Sequence, residues 1–310
     1  MRKTLNFWML LVLSLSIVSC VENYDNPTPV EYATLQEALA ANDLISDIKE
    51  NPDEWAMEKK KKGELFYLSQ YSMKFRQAID HNQPDGETFQ QRVSILFRGF
   101  DRPTILVTEG YFWPGFGDGE DFGINLNANM VHVEHRNFGE SFASDEGMWE
   151  YETSAQASAD LHAVYQALKP IFRGKWMSMG TSKSGETSMD YAYYYPNDMD
   201  LAAAFCSPFV VGILDNAFSK YLFNEVGNEA LREMLKKNIR WALTDGENGL
   251  YQSVCKKYKE KNLSEPSYTE YVFNIFDSFF NLFQYTLPSK HQEKLENMTK
   301  DEATYVTEIR

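Results

Sequence analysis

The sequence predicts an α/β fold: a mostly parallel sheet with flanking helices, followed by a helical cap. Two observations predict the sheet. Between Pro103 and Cys206, short apolar runs alternate with stretches whose apolar residues recur at helical spacing. That alternation is the pattern of parallel strands covered by helices. Just before it, two long segments rich in Tyr, Phe, Val and Ile flank N-Q-P-D-G-E at 82–87. A D-G step between two such runs signals an antiparallel hairpin. The third observation predicts the cap. Past Pro208 the pattern is helical over 212–285, broken by K-E-K-N-L-S-E-P.

The elements follow in order. Arg2 and Lys3 precede an apolar stretch, Leu5 to Val18, too short and wrongly flanked to span a bilayer. It closes I-V-S-C at Cys20, an ending that resembles a bacterial lipobox. Residues 1–19 are therefore expected to be a lipoprotein signal peptide and Cys20 the lipidated first residue of the mature chain. That places the protein at the cell envelope, on the periplasmic side or the cell surface. Residues 20–33, polar and proline-bearing, read as a tether. Residues 34–50 look helical, and Glu64 to Phe97 reads as the hairpin. Apolar strands are expected at Pro103–Thr108, from Met130, at Lys175–Met179 and at Leu201–Cys206. Helices are expected at Trp149–Leu168 and at Ser184–Tyr195, where Pro196 ends the second. The expected organisation is a core over 34–210, a helical cap over 211–290 and the start of a return to the core over 291–310.

Composition narrows the classes. Forty-five acidic residues against thirty basic ones give a net charge of −15. A chain so acidic offers no footprint for nucleic acid. The one basic cluster, Lys59 to Lys62, is flanked by Glu58 and Glu64 and reads as a solvated face. After Cys20, two cysteines remain. Cys206 ends a run that reads as a buried strand, Cys255 sits in a lysine-rich helix, and two free thiols are expected. Neither has metal-ligand spacing, and no C-x-x-C or H-E-x-x-H occurs. No metal or other cofactor is expected.

Residues 175–185 read K-W-M-S-M-G-T-S-K-S-G. A serine between a strand and a helix, flanked by small residues, is the arrangement that presents a nucleophile above a sheet. Gly180, Thr181, Ser182 and Lys183 follow the G-x-S-x-G pattern, but Ser184 stands where the second glycine is usual, and Gly185 follows it. The bland reading is a loop whose serine caps the next helix.

Three longer segments point further: D-R-P-T-I-L-V-T-E-G-Y at 101–111, E-H-R-N-F-G-E-S at 134–141 and G-K-W-M-S-M-G-T-S-K-S-G at 174–185. In this order they resemble the serine peptidases of the S37 and S28 families, S37 more closely. The resemblance covers about residues 64–210 and implies an α/β-hydrolase core with a helical cap. It implies a serine exopeptidase that releases short peptides, tripeptides among them, from free N-termini, with a preference for proline. Ser182 then matches the nucleophile and the Lys183 amide one oxyanion donor. The turn Glu109-Gly110-Tyr111 is placed to supply the second from Gly110 or Tyr111. Glu134 and Arg136 are expected to form a structural ion pair. Glu109, Glu134 or Glu140 is the alternative seat for the substrate's ammonium group. The expected partners are a peptide substrate and, through Cys20, a membrane. A non-catalytic peptide-binding lipoprotein and an esterase of the same fold remain the alternatives.

A serine needs a base and a group that orients it, and in this fold the order is Ser, acid, His. After Ser182 the only histidine is His291, in a polar helical stretch that reads as solvated. His132 and His135 precede the serine. Asp190, Asp198 and Asp200 lie too near the turn, while Asp215, Asp245 and Asp277 fall in the cap. The last strands of the sheet, with their acid and histidine, are thus expected to be missing. A truncated chain with little hydrolytic activity and marginal stability is the expectation.

Overall fold

The computed structural model describes residues 31–50, 67–111, 120–143, 148–209, 219–285 and 290–298. The expected signal peptide over 1–19, Cys20, Lys59 to Lys62, Asp215 and the final segment 299–310 lie outside the described residues. Two compact units divide the chain, residues 1–209 and 210–310.

The first unit is built on a seven-stranded sheet in the order β1-β2-β3-β5-β4-β6-β7. The strands are β1 (Ile45–Glu50), β2 (Ser69–Ala78), β3 (Thr88–Phe97), β4 (Thr104–Thr108), β5 (Asn129–Val133), β6 (Trp176–Thr181) and β7 (Leu201–Phe205). Successive pairs from β1 to β5 are antiparallel, and β5-β4-β6-β7 are parallel. The fold is α/β-hydrolase-like, as expected. The hairpin forms where the D-G turn predicts it, with Ser69 opposite Phe97 and Ala78 opposite Thr88.

Among the described residues the α-helices of this unit are α1 (Leu35–Ala40), α2 (Glu120–Leu126), α3 (Ser154–Leu168) and α4 (Lys183–Tyr194). The parallel strands are linked through α2, α3 and α4, as crossovers require. All five residues of β4 and all five of β5 are buried, which is why these strands read as unbroken apolar runs. Successive side chains point to opposite faces. Leu106 joins Val93, Val131, Val164, Leu168 and Trp176 on one face. Ile105 and Val107 join Leu96, Met130 and Met179 on the other.

Three local readings are corrected. The helix expected over 34–50 stops at Ala40, and 45–50 is strand β1. The side chain of Asn42 accepts from the Leu44 amide at 3.0 Å, a local turn that ends the helix. Ile45 then pairs with Phe75 of β2. The helix expected from Trp149 begins as a separate 3₁₀ turn, 149–151. The α-helix starts after Thr153, whose hydroxyl caps the Gln156 amide at 3.2 Å. Cys206, expected to be buried, is exposed. The strand before it closes the row of strands, and Leu201 and Phe205 stand 57 % and 37 % exposed. An apolar run marks an interior strand only when both faces are covered. Cys255 is buried, and both cysteines are free thiols.

The second unit is helical among its described residues: α5 (Glu229–Leu243), α6 (Leu250–Glu260), α7 (Tyr268–Tyr285) and α8 (His291–Met298). Leu235, Ile239, Tyr271, Ile275, Phe279 and Leu295 form its core. Its breaks are chemically marked. Ser267 and Glu270 exchange side-chain and backbone hydrogen bonds at 3.2 and 2.6 Å, a capping box that starts α7 just past Pro266. His291, read as solvated, is buried, its ring edge-on to Phe283 at 4.8 Å. A polar sequence around a residue does not place it outside when its own helix face turns inward. Among the described residues no helix is long and apolar enough to cross a membrane.

Candidate active site

Ser182 stands between β6 and α4, at the carboxyl edge of the parallel strands. Its amide donates to the Phe205 carbonyl of β7 at 2.9 Å, and its carbonyl accepts from the Glu186 amide at 3.0 Å, opening the helix. Between these bonds the backbone turns sharply: Ser182 has φ 58° and ψ −124°. This is the conformation glycine favours at the first central position of a type II′ turn, and a serine held there is strained. The Ser182 side chain makes no capping bond to its own helix, which removes the bland reading of a capping serine. The residue is exposed.

Close approach explains the small residues. A Cβ on Gly180 would collide with the carbonyl and Oγ of Ser184, so α4 can close on β6 only because position 180 is glycine. A Cβ on Gly185 would lie 3.0 Å from the Gly180 carbonyl oxygen. Gly110 meets the same turn from β4: a Cβ there would be 3.4 Å from the Ser184 amide and 3.7 Å from Lys183 Cβ. The Glu109-Gly110-Tyr111 turn and the first turn of α4 are therefore in contact. Two backbone segments that meet at one helix N-terminus are a suitable host for a developing oxyanion.

The three glutamates named as seats for an ammonium group all hold structural partners. Glu109 is 3 % exposed and lies 2.8 Å from Nδ1 of the fully buried His132. Glu134 is buried. It pairs with Arg92 and accepts from the Ser141 hydroxyl at 2.8 Å and the Glu140 amide at 3.0 Å. The exposed Glu140 pairs with Lys74 and Arg92, and hydrogen bonding from Lys74 holds its carboxyl below the usual range. The expected Glu134–Arg136 pair is not formed. Arg136 turns the other way, its Nε and Nη2 on the two oxygens of Asp160 at 2.8 and 2.6 Å. Its Nη1 donates to the carbonyls of Ile79 and Tyr151. Strand β5 ends at Val133, so strand alternation does not set the directions of Glu134 and Arg136, and their tertiary partners Arg92 and Asp160 do. Asp160, mid-way along α3, carries no local signal of this and was missed.

A cavity of about 180 Å³ adjoins the turn, lined among others by His135, Glu152, Lys183, Glu186 and Asp190. Burial, and then the Lys183 charge, push His135 down to about 4, so the ring is neutral at pH 7. Its Nδ1 donates to the Arg136 carbonyl at 3.0 Å and lies 3.2 Å from Glu152. Burial raises the Glu152 and Glu186 carboxyls and lowers the Lys183 ammonium. No group of three or more metal-ligating side chains occurs among the described residues.

The PS-10 peptidase S37 family model matches residues 44–282. The chain belongs to the peptidase S37 family. It is 32 % identical over 224 residues to a prolyl tri/tetrapeptidyl aminopeptidase of Streptomyces mobaraensis, a match that takes in 70 % of this chain and 46 % of that protein. This S37 chain thus spans about half the length of the curated relative it matches. Similar solved structures include a proline iminopeptidase of Mycobacterium smegmatis, 12 % identical with TM-score 0.38 over 76 % of this chain and 69 % of that one. Another is the rice cell wall degrading esterase LipA of Xanthomonas oryzae, 14 % identical with TM-score 0.37 over 86 % and 77 %.

All five histidines of the chain are accounted for. His81 lies 2.7 Å from Asp160, His132 beside Glu109, His135 beside Glu152, and His162 2.6 Å from Asp198. His291 packs on Phe283. None is hydrogen-bonded to Ser182 among the described residues. Of the acids considered, Asp198 also accepts from the Tyr191 hydroxyl at 2.7 Å and Asp200 holds the Trp176 amide at 3.0 Å.

Proposed function

We propose that Ser182 is the nucleophile of a serine exopeptidase acting on short peptides with free N-termini, with proline preferred at the cleavage position. The observation that carries this is the strained Ser182 backbone at the strand-to-helix turn, in a chain of a peptidase family. In this reading the Ser182 hydroxyl attacks the scissile carbonyl. The amides of Lys183 and of Gly110 or Tyr111 hold the oxyanion, the scissile C–N bond breaks to release the rest of the peptide as an amine that carries the serine's proton, and water then cleaves the acyl-enzyme ester to give the free acid and restore the hydroxyl. The proline and tripeptide preferences rest on the name of the Streptomyces relative. Anchoring at the cell envelope through a lipid on Cys20 is part of the same proposal and rests on the I-V-S-C ending.

No histidine is hydrogen-bonded to Ser182 among the described residues, so the proton acceptor is left unassigned. That same observation favours the second reading, a peptide-binding lipoprotein without catalysis. A fluorophosphonate probe separates the two. Slow labelling at Ser182, abolished in Ser182→Ala, supports the hydrolase reading. A folded sample with no adduct at Ser182 supports the binding reading. Proline-containing tripeptide anilides against short esters then divide peptidase from esterase.

A further inference from the structure

The residue that departs from the G-x-S-x-G pattern has a specific task. Ser184 is 5 % exposed and Thr108 fully buried. Each hydroxyl donates to the other residue's backbone carbonyl. Thr108 Oγ1 donates to the Ser184 carbonyl at 2.6 Å, and Ser184 Oγ donates to the Thr108 carbonyl. Thr108 ends β4 and Ser184 lies in the first turn of α4, so the two bonds close a clasp between elements 76 residues apart in sequence. On one side of the clasp the next residues are Glu109, Gly110 and Tyr111. On the other side the preceding residues are Lys183 and Ser182. Val107 pairs with Met179 in the β4–β6 register, so Thr108 comes level with Gly180, whose missing side chain leaves the space Ser184 occupies.

We infer that Thr108 and Ser184 are positioning residues that fix the distance between the two oxyanion-donor segments. The inference rests on the nucleophile reading above. A glycine at 184 brings no hydroxyl, so only a residue such as serine can tie α4 to the Thr108 carbonyl. The bonds are buried and reciprocal, and the Thr108 hydroxyl also lies 3.3 Å from the Met179 carbonyl of β6, so removing either hydroxyl takes buried polar contacts from this junction, which is costly. The donors must hold their geometry to within a fraction of an ångström, because a displacement of about 1 Å can cost on the order of 100-fold in rate.

The test compares Thr108→Val, which keeps the shape and removes the hydroxyl, with Thr108→Ser, which keeps the hydroxyl. Ser184→Ala and the double variant complete the set. Amide hydrogen exchange is read in peptides over 108–111 and 180–184, with the β2–β3 hairpin as the control for global stability. Faster exchange in both segments for either single variant, no further gain in the double variant, and recovery in Thr108→Ser support the clasp. Changes confined to the mutated segment, additive effects, or no recovery in Thr108→Ser would overturn it. The fluorophosphonate labelling rate at Ser182 is expected to fall at least tenfold in Thr108→Val and to recover in Thr108→Ser. An unchanged rate in Thr108→Val overturns the clasp alone. Absence of labelling in the parent chain overturns the nucleophile reading, and the catalytic meaning of the clasp goes with it.

Discussion

Replacing Ser182 with glycine should make the protein more stable. Ser182 holds φ 58° and ψ −124°, a conformation in which any Cβ crowds the neighbouring peptide but which glycine adopts freely. Strain of this kind costs on the order of 1–3 kcal/mol. Glycine gives back part of the relief, because it has more conformational freedom to lose on folding, about 0.4–1 kcal/mol. The net expectation is that Ser182→Gly exceeds Ser182→Ala in stability by about 1 kcal/mol, from. Alanine is the right reference. It keeps the Cβ and hence the strain, and the Ser182 hydroxyl makes no helix-capping bond whose loss would confuse the comparison. Urea unfolding of both variants, followed by exchange in the β4 and β6 peptides, reports the first unit separately from the helical one. If Ser182→Gly is no more stable than Ser182→Ala, the turn is relaxed and the argument from strain to a nucleophile position fails.

The other predictions concern the scaffold around that turn. Arg136→Met strands the buried Asp160 carboxylate with His81 as its remaining side-chain partner and should cost about 3–5 kcal/mol in urea unfolding; a loss under 1 kcal/mol would show that the pair is dispensable. Gly180→Ala forces α4 away from β6 through the Ser184 collision, with an expected loss of about 1–3 kcal/mol and faster exchange at 180–184. The pH dependence has a definite sign at His135. Its pKa falls from 6.5 to about 4 on folding, so the unfolded chain binds the proton more tightly between those values. Stability from this group is complete above pH 6.5 and is lost as pH falls toward 4, by about 2.5 kcal/mol between pH 7.5 and 4.5. Glu152, raised by burial, works in the opposite direction just above 4.5, so the slope is read as the difference between the parent and His135→Gln. An equal slope in the two would remove His135 from the account.

Local chemistry decided much of this protein. The strands at 104–108, 129–133 and 176–181 are apolar because both faces are covered, and such runs need no partner to be recognised. The hairpin, the capping box at Ser267 and Glu270 and the turn at Ser182 are likewise written in adjacent residues. What the sequence could not settle is which polar side chains meet. Glu134 and Arg136 are two residues apart and point to different partners, Arg92 and Asp160. Thr108 reaches Ser184 only because two parallel strands in register bring β4 beside β6. Leu201 to Cys206 reads as interior, yet whether such a run is covered depends on its place in the strand order. Pattern and turn chemistry are local properties of a chain, so the sequence alone determined the hairpin, the central parallel strands and the position of the serine, though not strand β1 at 45–50 or the helix at 120–126. Pairing across a sheet is a property of the folded object, so only the tertiary structure decided what surrounds it.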